Sequence, residues 1–342
     1  MGQIIQLKTY NGSFNQKMSK LINLCQEDLE SINTLILEKL DSKVPLIHEI
    51  SSYLILSGGK RLRPLLTSCC YRLIEKKKDN NKNHIGLATA VEFIHAATLL
   101  HDDVIDESKK RRGNLSVNEV WGNKTSVLVG DFLFSRAFQL MTKYGNLEIL
   151  KILSDTSVII SEGEILELNN DKDPTINEDV YFEVINDKTA SLFSAACQVG
   201  CITASGSAKE VESIKSFGTN FGMAFQLIDD AIDYYSTNDS LGKNVGDDFK
   251  EGKITLPIIL AYLRSNNEEK KFWNTTIVNH KQGKDDFGKA IKIMQKYNCI
   301  SDTVERARHF ANVAMDSLGV FKNNEYKKAL INLIQSSLNR LN

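Results

Sequence analysis

The chain is predicted to be all-α. It has only four prolines in 342 residues, apolar residues recur at three- and four-residue steps through long segments, and strand-like alternation bounded by turn dipeptides is absent. The periodic segments run Val44 to Leu56, Pro64 to Lys76, Leu87 to Asp106, Ser126 to Thr142, Leu147 to Leu168, Val180 to Thr203 and Val211 to Tyr235. Pro64 and Pro257 each open such a segment, where a missing N–H costs nothing. Polar and Gly-rich stretches mark loops at Lys77 to Asn83, Lys109 to Asn114, Asn169 to Thr175 and Ser236 to Lys253. Beyond a boundary near Ser265 to Lys270 the remaining helices read as packing elements, so 1–342 is expected to form a single domain.

A hydrophobic content of 42% with 25% charged residues is that of an ordinary globular protein. The formal net charge of −1 gives no electrostatic case for nucleic acid. Cys25, Cys69, Cys70, Cys197, Cys201 and Cys299 form no C-x-x-C pair, and most have apolar surroundings. They are expected to be reduced core thiols, which with no signal-like segment predicts a cytoplasmic protein. No apolar run approaches the ~20 residues of a membrane span.

The chemistry concentrates in two copies of Asp-Asp-x-x-Asp: Asp102, Asp103 and Asp106, then Asp229, Asp230 and Asp233. Residues four apart share a helix face, so Asp102 projects with Asp106 and Asp229 with Asp233. Like charges at that spacing destabilise a helix. Two matched copies in apolar stretches predict a cation cluster shared between facing helices, and oxygen-only donors point to Mg²⁺. Two solvated acidic helix ends are the competing account.

Basic residues cluster near these motifs. In SGGKRLRP, Gly58 and Gly59 permit a sharp turn before a helix, and Lys60, Arg61 and Arg63 crowd at its start. Cations there oppose the macrodipole, which predicts a bound anion such as phosphate. Lys109, Lys110, Arg111 and Arg112 follow the first motif; they suit a multiply phosphorylated substrate or simply neutralise the aspartates. Lys243, Lys250 and Lys253 lie in a Gly-rich segment with Asp247 and Asp248, a candidate lid over a bound anion. Lys188 needs a partner, either a salt bridge or a substrate.

Together GGKRLRP, EFIHAATLLHDDVID, RRG, LVGDFLFSRAFQL, KT, FQLIDDAIDY and GKNVGDDFKEGKITLP, in that order over about 44–260, resemble the trans-isoprenyl diphosphate synthases. The similarity is strongest to the bacterial long-chain (octaprenyl to decaprenyl) enzymes of quinone biosynthesis. The resemblance implies a helical bundle of the isoprenoid-synthase type round a deep central cavity, usually a homodimer. It implies head-to-tail condensation of isopentenyl diphosphate onto an allylic diphosphate, with three Mg²⁺ ions bound alongside substrate diphosphate. Asp102, Asp106 and Asp229 are the implied metal ligands, with Asp103, Asp230 and Asp233 supporting. Lys60, Arg63, His95 and Arg112 match positions that hold the diphosphate of isopentenyl diphosphate. Arg111, Lys188, Thr189, Gln226, Lys243 and Lys253 match those that hold the allylic diphosphate. On residue type alone, His95 is as readily a core histidine.

Short-product relatives carry an aromatic residue near Ala97 and Thr98. The small side chains here imply an open tunnel and a long product, with Phe134, Phe138 and Met141 as candidates for its floor. Release of such a product implies transient contact with a membrane surface. A shorter-chain synthase and a non-catalytic subunit of a heteromeric synthase are the alternatives; such subunits tend to lose the first aspartate motif, which is intact here. Terpene cyclases generally lack the GGKRLRP segment and carry an Asn/Ser/Glu pattern in place of the second motif.

Overall fold

The computed structural model describes residues 13–74, 82–235 and 246–341. Its helices, in chain order, are α1 (Ser13–Leu24), α2 (Gln26–Lys39), α3 (Pro45–Leu56), α4 (Leu62–Ile74), α5 (Asn83–Ile105), α6 (Val117–Trp121), α7 (Asn123–Tyr144), α8 (Leu147–Asn169) and α9 (Glu178–Ile185). They continue as α10 (Ser191–Thr203), α11 (Ala208–Tyr235), α12 (Asp247–Glu251), α13 (Leu256–Arg264), α14 (Asn267–Trp273), α15 (Asp286–Lys296), α16 (Cys299–Ser317) and α17 (Glu325–Leu338). The all-α expectation holds. Each predicted segment except Val180 to Thr203 is a single helix, with ends displaced by a few residues; Lys76 lies outside the described residues.

Two local departures matter. Lys109 to Asn114 is not an open loop. Lys110–Arg111 and Asn114–Leu115 pair as antiparallel strands β1 and β2, closed by Arg112 at φ 54° and Gly113 at φ 83°. Two successive positive φ values are the signature of the tight hairpin turn that matches strand twist. Nor is Val180 to Thr203 one regular helix, because a π-helical turn at Asn186–Ala190 separates α9 from α10. Such turns widen the hydrogen-bond ladder by one residue and collect at functional sites; this one carries Lys188 and Thr189.

The chain divides into two compact units. The first comprises Met1–Ser157, Leu192–Lys215 and Leu318–Leu333. Its centre is α5, buried at every position from His84 to Leu100 except His95, Thr98 and Leu99. A helix apolar on nearly all sides must be enclosed, and α7, α4 and α2 pack round it. Cys25, Cys69, Cys70, Cys197 and Cys201 are buried free thiols in this unit, and burial raises the Cys69 and Cys70 thiols well above their ordinary range.

The second unit comprises Val158–Ser191, Ser216–Ser317 and Ile334–Asn342. Its core gathers Tyr181, Leu227, Ile228, Phe249, Ile258, Trp273 and Met294. It runs unbroken through Ser265 to Lys270, where Asn266 caps α14 by accepting from Glu268 and Glu269 N–H at 3.0 Å each, and Glu269 accepts from Asn266 N–H at 3.0 Å. The suspected boundary is a capping box.

One buried network ties α2 to α4 and α5. Asp28 accepts from Arg72 at 3.0 and 2.7 Å, with His84 Nε2 3.3 Å away and its ring stacked on Tyr71 at 3.8 Å. Burial raises the Asp28 carboxyl, but His84 and Arg72 outweigh it and hold the group below its ordinary 3.8. A depressed carboxylate contributes stability that is complete above that ordinary value and disappears as pH falls through the lowered one. Asp28→Asn is expected to destabilise the fold by about 3 kcal/mol at neutral pH. Urea midpoints against pH check this, the gap from wild type narrowing only below about pH 4.

Candidate active site

In the first unit, the segment entering α4 brings arginines together with His95. Gly58 and Gly59 take φ 105° and 149°, and a Cβ placed on Gly59 would lie 2.9 Å from Arg112 Nη1. Only glycine lets the guanidinium rest there. Arg63 Nη1 lies 3.3 Å from His95 Nε2, and its guanidinium stacks 4.3 Å over the Phe193 ring. Burial lowers Arg63 to about 10, so it remains a cation at neutral pH. His95 is pushed well below its usual range by burial and by Arg63, Arg112, Arg111 and Arg61. It is therefore a neutral imidazole that can hydrogen-bond without adding charge.

Arg61 plays another part. It is 8% exposed and at φ 47°, pairs with the buried Glu92 and donates to the Ile55 carbonyl at 2.9 Å. It is a strut that carries the chain into α4. Arg63 and Arg112 have no carboxylate partner within salt-bridge distance among the described residues.

The first aspartate motif ends α5, where the C-terminal end of the macrodipole disfavours carboxylates. Its members differ. Asp103 is 1% exposed and accepts from Arg111 Nε at 2.8 Å and Nη2 at 2.7 Å. Asp102 is buried and Asp106 exposed, one turn apart. Ala97 is buried and Thr98 half-buried, its hydroxyl donating to the His95 carbonyl at 2.9 Å. Met141 is buried, but Phe138 is 40% exposed with its ring edge-on to Phe134.

In the second unit, the motif that ends α11 repeats this pattern. Asp230 is 4% exposed and accepts from Tyr181 Oη at 2.5 Å and Gln226 Nε2 at 2.7 Å. Burial pushes its carboxyl up to about 6 against these two donors, with Asp229 and Glu167 adding to the rise. Gln226 Oε1 accepts from Thr189 Oγ1 at 3.2 Å, which connects the π turn to the motif. Asp233 Oδ2 accepts from Asp248 N–H at 3.0 Å and so anchors α12. Lys188 Nζ sits 2.8 Å from Glu164 and 2.5 Å from Glu167. Gly163 permits this approach, since a Cβ there would lie 2.7 Å from the Asp187 Cβ. Lys253 pairs with Glu251 at 2.8 Å and Lys250 with Asp247 at 3.0 Å.

The structure thus places Lys60, Arg63, His95, Arg111 and Arg112 with Asp102, Asp103 and Asp106 in the first unit. It places Lys188, Thr189, Gln226 and Lys253 with Asp229, Asp230 and Asp233 in the second. Lys243 lies outside the described residues, as do 77–81 and 236–245 of the expected loops. Sequence reasoning missed Glu92, Tyr181, Glu164, Glu167 and Arg340. Arg340 lies 2.6 Å from Asp229 Oδ1, its guanidinium 5.3 Å over the Phe225 ring. Glu92 had a signal, being a carboxylate in the apolar stretch Ile85–Leu100 of α5, which is almost never buried without a cation.

Among the described residues no three His, Cys, Asp or Glu side chains stand together as a metal cage. Mg²⁺ is held by one or two carboxylates and by phosphate oxygens. Asp229 already draws a cation, the Arg340 guanidinium, to a carboxylate oxygen. The donors fit the ion.

The chain is similar to known prenyl synthases along most of its length. The Polyprenyl synthetase family model matches residues 44–294. The octaprenyl diphosphate synthase of Escherichia coli is 40% identical over 323 residues, 94% of this chain and 99% of the relative. The polyprenyl synthase of Caulobacter crescentus, solved with calcium and isoprenyl diphosphate, has a TM-score of 0.89 at 40% identity and covers 97% of this chain and 99% of its own. A decaprenyl diphosphate synthase from Rhodobacter capsulatus has a TM-score of 0.90 at 40% identity over 95% of this chain and 99% of its own. With its two aspartate motifs ending α5 and α11 and its arginine cluster at the start of α4, the chain belongs to the polyprenyl synthetase family.

Proposed function

We propose that this protein is a Mg²⁺-dependent all-trans polyprenyl diphosphate synthase. It adds isopentenyl diphosphate head to tail to an allylic diphosphate until the product reaches octaprenyl to decaprenyl length, suited to a quinone side chain. The observation that carries the proposal is the matched pair of Asp-Asp-x-x-Asp motifs, each at a helix C-terminus that disfavours carboxylates. The buried Ala97, too small to block a tunnel, supports the long product over a short one. The working form is one functional domain per chain and two chains per enzyme, which the exposed Val127, Leu128 and Phe138 on α7 favour. No helix among the described residues is long and apolar enough to cross a membrane; a cytoplasmic enzyme that meets a membrane surface only to release product fits that.

Lys60, Arg63, His95 and Arg112 hold isopentenyl diphosphate. Arg111, Lys188, Thr189, Gln226, Lys243 and Lys253 hold the allylic diphosphate. Three Mg²⁺ ions, with Asp102, Asp106 and Asp229 as protein ligands, would supply Lewis-acid neutralisation of the leaving diphosphate. Fixed cations add to that stabilisation because they need no reorganisation as charge develops. The neutral His95 orients the nucleophilic substrate without repelling the allylic cation, and holding both substrates in register supplies the proximity contribution. The departing diphosphate takes the final proton.

Asp102→Ala and Asp229→Ala are each expected to cut turnover by orders of magnitude while circular dichroism stays helical. Near-normal activity with Mg²⁺ in either variant would refute the metal assignment. Arg63 and Arg112 substitutions should weaken isopentenyl diphosphate, and Lys188 and Lys243 substitutions the allylic substrate, by about 1.5–3 kcal/mol or roughly ten- to hundredfold. Separate KM measurements check the partition, which fails if all four variants lose both substrates equally. Ala97→Phe should shorten the product by several isoprene units with the first condensation nearly intact, as chromatography of the dephosphorylated products will show. An unchanged long-chain distribution would place the tunnel elsewhere.

A further inference from the structure

Tyr181 belongs to no motif that pointed to function, yet its hydroxyl ends on the second aspartate motif. The side chain is 3% exposed on α9, among Ile185, Met223, Leu227 and Ile228 of the second unit's core. Its Oη donates to Asp230 Oδ2 at 2.5 Å, while Gln226 Nε2 takes Oδ1 at 2.7 Å. Both oxygens of a carboxylate only 4% exposed are therefore met from inside the protein. Gln226 in turn accepts from Thr189 at 3.2 Å. Two segments meet the end of α11 here: α9 directly, through Tyr181, and the π turn that carries Lys188, through Gln226.

We propose that Tyr181 is a positioning residue for the reaction. By fixing the Asp230 carboxylate, its hydroxyl sets the register between the Lys188–Thr189 turn and the end of α11. The groups assigned to the allylic diphosphate and those assigned to the metal are then presented together. This inference rests on the function proposed above. Without the hydroxyl, Asp230 Oδ2 becomes a buried acceptor with no donor. Such an atom is costly, so the carboxylate turns to find another partner and the adjoining Asp229 and Asp233 shift with it. Displacements near 1 Å at a reacting centre lower rates on the order of a hundredfold.

The competing account is that Tyr181 fills core volume and its hydroxyl is merely satisfied. Tyr181→Phe separates the two, because it keeps the ring and removes only the donor. The full-length protein and this variant are compared in four measurements: melting temperature, KM for isopentenyl diphosphate, kcat, and calorimetric binding of farnesyl thiodiphosphate, an unreactive allylic analogue, with and without Mg²⁺. A positioning role predicts a melting temperature within a few degrees of wild type and an isopentenyl KM within about twofold. It also predicts a Mg²⁺-dependent affinity for the analogue and a kcat each reduced about tenfold or more. Unchanged analogue binding and kcat would overturn the proposal. So would an unfolded variant, or one that loses affinity for both substrates equally, since either makes Tyr181 a packing residue. A wild-type protein that fails to elongate the allylic substrate would instead count against the proposed function.

Discussion

A carboxylate or guanidinium taken out of water costs several kcal/mol unless an opposite charge or well-placed donors meet it. Both units of this chain are arranged round that requirement. In the first, Arg61, Arg63, Arg111 and Arg112 approach the neutral His95 closely enough to depress it. Four guanidiniums hold together there because Glu92 answers Arg61 and Asp103 answers Arg111. Glu92 also raises the Arg63 and Arg112 guanidiniums against the desolvation that lowers them. The buried carboxylate thereby supports the cationic cluster while pairing, among the described residues, only with Arg61.

The second unit meets the same requirement in reverse, since its functional charges are already engaged. Lys188 rests between Glu164 and Glu167, and Asp229 against Arg340. In the function proposed above, a diphosphate at Lys188 would have to displace Glu164 and Glu167, and a metal at Asp229 would have to displace Arg340. Exchange of this kind limits the net affinity gained from each contact. These pairs are partly exposed, so each contributes only modestly to the fold.

Which parts were legible in the sequence follows from the range of each interaction. Helices such as α5 and α7 declare themselves through apolar spacing, because the burying face is a local property of the chain. The aspartate motifs declare themselves because i, i+4 carboxylates are a local penalty. The hairpin at Arg112–Gly113 and the π turn at Asn186–Ala190 were missed: the first is too short for alternation to register, and the second keeps helical periodicity on both sides. The partners of the charges were hidden for another reason. Glu92 lies 31 residues from Arg61, Tyr181 49 from Asp230, and Arg340 in a different segment again from Asp229. No spacing rule links such pairs. Arg61 and Arg63 look interchangeable in GGKRLRP, yet one faces a buried glutamate and the other an imidazole and an aromatic ring.

Helix geometry also explains why each motif carries three aspartates rather than two. Positions one and five are about 400° apart and share a face, whereas position two is rotated by about 100°. The rotation turns Asp103 and Asp230 inward, and both are nearly fully buried. Each is tied down by donors from elsewhere in its own unit, Arg111 for Asp103 and Tyr181 with Gln226 for Asp230. The second aspartate is thus the anchor of its motif. It fixes the rotation of the last helical turn so that the first and fifth carboxylates point one way. Apolar burial alone would hold the turn less tightly, since a hydrophobic contact has no preferred direction and tolerates a few degrees of roll. A carboxylate with both oxygens engaged does not. Two motifs built alike, on different helices and with different donors, indicate that this anchoring is part of what the Asp-Asp-x-x-Asp spacing is for.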